Sequence, residues 1–442
     1  MRPRQLLAAE YGGIRFEIEN DSSGVGSYLY GHLNGGTQFD YLQDTELDAQ
    51  EFALEMFGVP LTHWKLEESN YMAVNSTEPL RIIISGGGTG GHIFPAVAIA
   101  NEIRFRYPNA EILFVGANGR MEMTRVPEAG YNIVGLDITG LQRRLTPQNL
   151  LFPVRVFRSV RKAGKLLEEF RPDAVVGVGG YASAPVLLAA TSRAIPSLIQ
   201  EQNSYAGLVN KLLAKRVNKI CVAYDGMEKF FPADKLVLTG NPVRTEIALG
   251  SRAEALHFFG LDPSRKTLLV VGGSLGARTL NQATAAALPR LLEAGIQLLW
   301  QTGKLYFPEA RQQADQAAGL HALEFIQRMD LAYAAADVVI SRAGALSVSE
   351  LCLTGKASIL VPSPNVAEDH QTKNALALVS KGAAVLITDE HAPERLYDEA
   401  LRLLADPERQ QQLSRRVREL AHPDATVTIV DELLKLVKRV KS

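Results

Sequence analysis

Six residues, GGGTGG at 86–91, join the apolar run RIIIS to an amphipathic stretch that opens on His92. Small residues let backbone N–H groups approach a phosphate, and the start of a helix adds about half a positive charge. The loop therefore reads as a seat for an anionic group. Gly86, Gly88 and Gly91 match G-x-G-x-x-G, but a dinucleotide site also asks for an acid at the end of the second strand. Here that strand ends FVGANGRMEM, with Glu111 at its start and Glu122 past the turn. A histidine directly after the last glycine is also foreign to that fingerprint. The loop is read as holding a phosphate other than that of NAD.

Such loops need strands and helices to hold them. From residue 80 onward, RIIIS, EILFVG, YNIVGLDI, DAVVGVGG, SLIQE and NKICVAY read as strands with helical stretches between several of them. Near-continuous apolar strands alternating with helices indicate a parallel sheet covered on both faces. After KLVLTGNPVR the pattern restarts with TLLVVGGSLGARTLNQATAAAL, and IQLLWQTG, ADVVISRAG, ASILVPS and AAVLITD continue a second sheet. The expected fold class is α/β, with two Rossmann-like, doubly wound domains at 80–240 and 241–425. They join near Asn241-Pro242, and a C-terminal helix at 426–442 is a candidate to cross back to the first.

The first 71 residues differ. Residues 13–33 alternate like a strand pair around NDSSGVG, and 45–57 carry apolar residues at helical spacing with Thr45 as an N-cap. A small α+β extension is expected, without a catalytic constellation, followed by a linker at 72–79. Met72 stands where an independent start codon would put a first residue, so an in-frame fusion is expected.

A chain of 442 residues has room for two or three domains. No apolar run reaches the roughly 18 residues that span a membrane, and the start lacks a signal peptide's apolar stretch. Cys221 and Cys352, without metal spacing, read as buried thiols of a reducing compartment, the cytoplasm by default. The net charge of −1 hides an asymmetry, since residues 1–72 carry −8 and the remainder +7. A basic body suits an anionic membrane surface or a phosphorylated substrate. Nothing points to nucleic acid.

The motifs GGTGGH with FPAVAIA, GVGGYAS, EQNSYAG, GNPVR, GGSLGAR, SRAGALSVSE and DHQTKNA occur in that order. Together they closely resemble the MurG family of bacterial glycosyltransferases, from about residue 80 to the end; the residues ahead of Met72 have no counterpart there. The resemblance implies the GT-B fold, two Rossmann-like domains facing a cleft. It implies transfer of N-acetylglucosamine from UDP-GlcNAc to the 4-hydroxyl of the muramoyl sugar of lipid I, with inversion, giving lipid II for peptidoglycan. No metal or other cofactor is implied, and the chain carries no D-x-D pair. Backbone N–H groups, helix dipoles and positive side chains would then stabilise the leaving diphosphate.

By that resemblance, Gly272, Gly273 and Ser274 take the UDP phosphates, and Arg244 and Arg342 are candidate diphosphate partners. Either arginine could instead make a structural salt bridge. Glu350 is implied at the ribose, with Ala345, Leu346, Ser347, Val348 and Ser349 lining the site, and the backbone of Ile326 at the uracil. Gln371 and Asn203 are implied at the transferred sugar; the neighbouring His370 carries less weight. Thr89, Gly90 and Gly91 line the cleft, and Gly179, Gly180, Tyr181, Ala182 and Ser183 join them at the pyrophosphate of lipid I. His92 is the candidate general base, since imidazole titrates near working pH. Its competing role is to order the loop by hydrogen bonding.

Residues 148–167 interleave Leu150, Leu151, Phe152, Val156, Phe157 and Val160 with Arg155, Arg158, Arg161, Lys162 and Lys165. A basic amphipathic segment of this kind lies on an anionic membrane surface. An ordinary Rossmann helix with an apolar core stripe accounts for part of the same pattern. The expected location is peripheral, on the cytoplasmic face of the inner membrane, with other cell-wall and division proteins as candidate partners. Rival readings are another GT-B glycolipid transferase, a UDP-GlcNAc epimerase, and an inactive sugar-nucleotide-binding scaffold for cell-wall enzymes.

Overall fold

The computed structural model describes residues 5–11, 14–20, 27–33, 36–43, 46–57, 59–68, 79–138, 152–273, 276–314 and 318–441. They fall into two compact units, Met1–Glu78 and Pro79–Ser442. In the first, β1 (Gln5–Tyr11), β2 (Ile14–Asn20), β3 (Ser27–Leu33), β4 (Gly36–Gln43) and β5 (Lys65–Glu68) form an antiparallel sheet in the order β4-β3-β2-β1-β5. Period-two alternation buries Phe16, Ile18 and Leu29 on one face, where α1 (Glu46–Phe57) lays Ala49 and Ala53 against them. The alternation at 13–33 thus belongs to a five-stranded sheet rather than a lone strand pair. Thr45 lies outside the described residues.

The second unit holds two parallel sheets. The first contains β6 (Arg81–Gly86), β7 (Glu111–Ala117), β8 (Asn132–Leu136), β9 (Ala174–Gly179), β10 (Ser197–Glu201), β11 (Lys219–Val222) and β12 (Leu236–Leu238). Their order is β12-β11-β10-β9-β6-β7-β8. Its connecting helices are α2 (Gly90–Arg106), α3 (Glu122–Glu128), α4 (Phe152–Phe170), α5 (Ser183–Thr191) and α6 (Leu208–Leu213). Ile82 and Ile84 enter one core and Ile83 the other, so β6 is apolar on both faces because helices cover both.

The second sheet contains β13 (Thr267–Val271), β14 (Gln297–Gln301), β15 (Leu320–Leu323), β16 (Val338–Ser341), β17 (Ser358–Leu360) and β18 (Val385–Leu386), in the order β15-β14-β13-β16-β17-β18. Its helices are α7 (Arg252–Phe259), α8 (Arg278–Glu293), α9 (Phe307–Ala314), α10 (Met329–Ala335), α11 (Ala345–Thr354), α12 (His370–Val379), α13 (Ala392–Ala405) and α14 (Pro407–Arg418). The last helix, α15 (Ala425–Lys441), lies on the first sheet, where Ile429, Val430 and Leu433 join Ile82 and Ile84. An Arg106–Asp431 ion pair of 2.5 Å fixes it to α2.

Both sheets reverse winding direction at their middle. β6 sits between β9 and β7, and β13 between β14 and β16. Ligands of open parallel sheets bind at such switch points, outside the C-terminal strand ends. The glycine-rich turns after β6, β9 and β13, and the turn after β16, all fall there. No described helix is long and apolar enough to cross a membrane. Cys221 and Cys352 are buried free thiols, and burial pushes each up to about 12.

Candidate active site

In the first parallel-sheet lobe the turns after β6 and β9 press against each other. The Gly87 amide donates to Gly179 O at 3.3 Å. Gly180, at φ +83°, lies so close that a Cβ there would fall on Gly87 O, a spacing that only glycine permits. One anion is already present in this arrangement. Glu122, 1% exposed, accepts from the Gly88 amide at 2.8 Å and from the Ala117 amide at 3.0 Å. The Gly88 N–H is therefore engaged from within. Ser183 is likewise turned inward: it is fully buried and donates to Gly180 O at 2.8 Å, while Tyr181 is 54% exposed. Of the implied acceptor contacts, Thr89 to Gly91, Gly180 and Tyr181 keep exposed surface, whereas Gly179 and Ala182 are buried.

His92 stands in the first turn of α2, half-buried. Its Nδ1 lies 2.9 Å from Gly87 O, and a carbonyl only accepts, so Nδ1 carries the proton. Nε2 is then the unprotonated nitrogen, directed toward Gly179. Desolvation lowers the imidazole's pKa, opposed by the bond to Gly87 and by the charges of Glu201 and Glu122. One nitrogen of His92 thus orders the loop, and this leaves the other without a proton in the neutral ring.

In the second lobe, α11 opens after Gly344 with no side-chain cap. Its first amides, at Ala345, Leu346 and Ser347, keep the unsatisfied N–H groups of a helix start. One turn on, Glu350 accepts from the buried Tyr333 hydroxyl at 3.0 Å. Desolvation raises this carboxyl to about 7, against the Tyr333 bond and the Arg244 charge. Arg244 is exposed, whereas Arg342 is engaged elsewhere, donating to Asp389 at 2.6 Å and to Val361 O at 3.0 Å. The salt-bridge reading holds for Arg342. Val348 points into the core, and Ser349 accepts from Asn241 at 3.0 Å. Gly273 takes φ +83°, Ile326 is 3% exposed, and Ser274 lies outside the described residues.

Side chains from both lobes meet between these turns. Gln371 Oε1 accepts from the Ser363 amide at 2.9 Å. Asn374, fully buried, donates to Asn203 Oδ1 at 3.1 Å and to Ala343 O at 3.3 Å, and accepts from the Ser204 amide at 2.9 Å. Buried Glu201 accepts from the amides of Asn203 and Gly207 and from Asn210. Sequence reasoning weighed Glu122 only as the acid of a dinucleotide site and passed over Glu201, Tyr333 and Asn374. Glu201 and Asn374 stood inside quoted motifs; Tyr333 carried no signal. Among the described residues, no group of three or more His, Cys, Asp or Glu is placed to hold a metal ion.

The basic helix α4 divides its residues between core and surface. Ser159, Ala163 and Leu167 are buried, with Val156 and Val160 packed beside them. Val154 is 46% and Phe157 68% exposed, on the side of exposed Arg158, Arg161 and Lys165; Arg155 is half-buried. Val156 and Phe157, both among the apolar residues of the segment, therefore point apart. Leu150 and Leu151 lie outside the described residues, as does the side chain of Phe152.

Two family models match: the glycosyltransferase family 28 N-terminal domain over residues 82–222 and its C-terminal domain over 267–429. The chain is 57% identical over 363 residues to a Parabacteroides distasonis protein, covering 81% of this chain and 99% of that one. That protein is named UDP-N-acetylglucosamine--N-acetylmuramyl-(pentapeptide) pyrophosphoryl-undecaprenol N-acetylglucosamine transferase. A Cytophaga hutchinsonii protein of the same name is 56% identical, with 81% and 98% covered. Among solved structures, Acinetobacter baumannii MurG matches with a TM-score of 0.68 at 30% identity, covering 81% of this chain and all of that one. The two parallel-sheet lobes are those of the GT-B fold.

Proposed function

The chain belongs to glycosyltransferase family 28, and on that premise we propose that it transfers N-acetylglucosamine from UDP-GlcNAc to MurNAc-pentapeptide-pyrophosphoryl-undecaprenol, the step from lipid I to lipid II. The observation that carries this reading is the 57% identity across 99% of a protein named for that transfer.

The donor sits in the second lobe. Helix α11 turns its first N–H groups toward the diphosphate, and a helix start favours the charge that develops there as the bond to the sugar breaks. Glu350 accepts the ribose hydroxyls, and exposed Arg244 lies near enough for its charge to act on that carboxylate. Gln371 and Asn203 meet the sugar, the latter held in place by Asn374. The acceptor pyrophosphate approaches the first lobe at Thr89 to Gly91 and at the turn of Gly180 and Tyr181.

The transfer is an inverting displacement. Nε2 of His92 takes the proton of the acceptor 4-hydroxyl, whose oxygen attacks C1 of the sugar. The C1–O bond to UDP breaks, and its electron pair leaves on the diphosphate. No metal takes part in this scheme. UDP release by the purified full chain, with and without a short-chain lipid I analogue and in EDTA, tests it. Acceptor-dependent release that survives EDTA is expected. Donor binding without turnover would replace it with the scaffold reading.

The same reading makes the enzyme peripheral, on the cytoplasmic face of the inner membrane. The outward face of α4 supports this, because Val154 and Phe157 are exposed beside Arg158 and Arg161. Replacing both arginines with glutamate should abolish sedimentation with phosphatidylglycerol vesicles. Sedimentation equal to the unaltered chain would remove α4 as the docking element.

A further inference from the structure

Between the two parallel-sheet lobes lies a concavity of about 940 Å³, within the range of small-molecule sites, roughly 300–1,000 Å³. Ser204, Tyr205 and the residues after β11 form one wall, and α11 and α12 form the other. The connection at Gly240 and Asn241 closes the back together with His422. There the crossing chain approaches so closely that a Cβ on Gly240, at φ +82°, would strike the His422 side chain. Leu346, Glu350, Arg244, Gln371 and Asn203 are not among the residues that line it. On α11 it takes in Val348, Ser349, Cys352 and Leu353, the last one turn beyond Glu350.

Its chemistry is that of a receptor for a flat, negatively charged molecule. Tyr205 and Phe230 meet edge to face with ring centroids 4.9 Å apart. Lys373 Nζ stands 3.2 Å from the Tyr205 ring centroid and donates to Glu368 O at 2.7 Å. Lys211 Nζ stands 4.5 Å from the same centroid and Lys229 Nζ 5.1 Å from that of Phe230, so cations already cover these rings. Three lysines and two carboxylates line the cavity, with His422, whose pKa is lowered by desolvation. Lys381 is paired with Asp225 at 3.0 Å. The two lysines that make no ion pair among the described residues are those beside the aromatic rings. Tyr224 belongs to the same wall, and its buried hydroxyl has no hydrogen-bond partner among the described residues. Buried polar groups are normally paired, so this donor is one that an acidic oxygen would satisfy.

We propose that this interlobe cavity is a second small-molecule site, for an aromatic anion whose ring fills the space beside Leu353 and Leu376 and whose acidic group meets Lys229, Lys373 and the Tyr224 hydroxyl. Such a ligand touches both lobes at once, and the wall it touches includes the Asn241–Ser349 bond between them. The same helix carries Glu350, one turn from the lining residue Leu353, so occupancy changes the affinity for donor, and donor changes the affinity for the ligand by the same factor.

The site is read without turnover, so its fate is separate from that of the transfer reading. The probe is 8-anilinonaphthalene-1-sulfonate, titrated by fluorescence into the full-length protein. Saturable binding to one site that persists in saturating UDP is expected, together with at least a threefold change in UDP affinity at saturating probe. Lys373→Glu should weaken the probe by about tenfold, as expected when a cation facing an anion is reversed. Leu376→Trp, which fills the cavity from α12, should abolish binding while thermal melting stays cooperative. Displacement of the probe by UDP would overturn the proposal, because the probe would then occupy the donor seat. So would unchanged binding in Leu376→Trp, the variant that tests the cavity even if Lys373→Glu fails to fold. An unchanged UDP affinity would overturn the coupling.

Discussion

The two parallel-sheet lobes carry the same device at the same place, a pair of turns at the C-terminal ends of neighbouring strands, yet they are charged differently. In the first lobe the Gly88 amide is held by buried Glu122, and the Gly87 carbonyl by His92. In the second, the acid beside the turns, Asp389, is neutralised by Arg342 at 2.6 Å and bonded by Thr279 at 2.8 Å. The start of α11 has no side-chain cap. One turn pair thus carries an internal carboxylate and holds His92, the proposed base. The other has an uncapped helix start, the proposed seat for an external anion. Topology places an anion site; the nearest carboxylate and its partner decide whether it is available.

Removing the proposed base should break the comparison most severely. His92→Ala should lower kcat by about 10²–10⁴, the usual contribution of a positioned base, with donor KM little changed in steady-state UDP-release assays. A fall in donor affinity with kcat preserved would make His92 a purely structural residue.

Glu122→Gln should loosen the first platform alone. It exchanges a charge-assisted acceptor for an amide that cannot accept equally well at Gly88 and Ala117. A loss of roughly 1.5–3 kcal/mol, the range for hydrogen bonds to charged groups, is expected in urea unfolding, with UDP affinity unchanged. Equal stability would mean that the first turns hold their shape without an internal anion.

Glu350→Gln addresses the open seat, and its two effects have opposite sign. Donor KM should rise about tenfold, as one hydrogen bond to a charged acceptor is lost. The apo protein should become more stable at alkaline pH. Burial raises Glu350 from 4.5 to about 7. Its neutral form therefore supports the fold fully below about 4.5, and that support is lost as pH rises through 7. The gain of Glu350→Gln at pH 8 should be about 1–3 kcal/mol, at 1.36 kcal/mol per unit, and should vanish near pH 4.5. Melting temperatures at the two pH values check it.

The smallest effect lies in the pH profile. Desolvation lowers His92, so the acid limb of kcat/KM should fall below the ordinary histidine value of about 6.5. A limb above that value would assign it to another group.

Much of the fold was legible because its signals are local. Apolar runs such as TLLVV and AVVGVG could only be strands covered on both faces, and glycines at 86–91, 179–180 and 272–273 marked the turns. Helix α4 was legible as amphipathic, but which of Val156 and Phe157 faces inward depends on where Ser159, Ala163 and Leu167 meet the sheet. Five strands stand where two were read in the N-terminal unit, because short, polar-faced strands carry a weak period-two signal.

By itself the sequence determined two strand–turn–helix lobes, the ordered motifs that mark the family, and the residue types available at each turn. Partners were decided only in three dimensions. Glu122 reaches the amide of Gly88, 34 residues back, because β6 and β7 are neighbours. Asn374 meets Asn203 across 171 residues because the two lobes face each other there. Arg342 turns to Asp389 instead of the cleft. Periodicity and turn chemistry are properties of consecutive residues, whereas a hydrogen-bond partner is set by strand order and lobe contact, which no stretch of sequence contains.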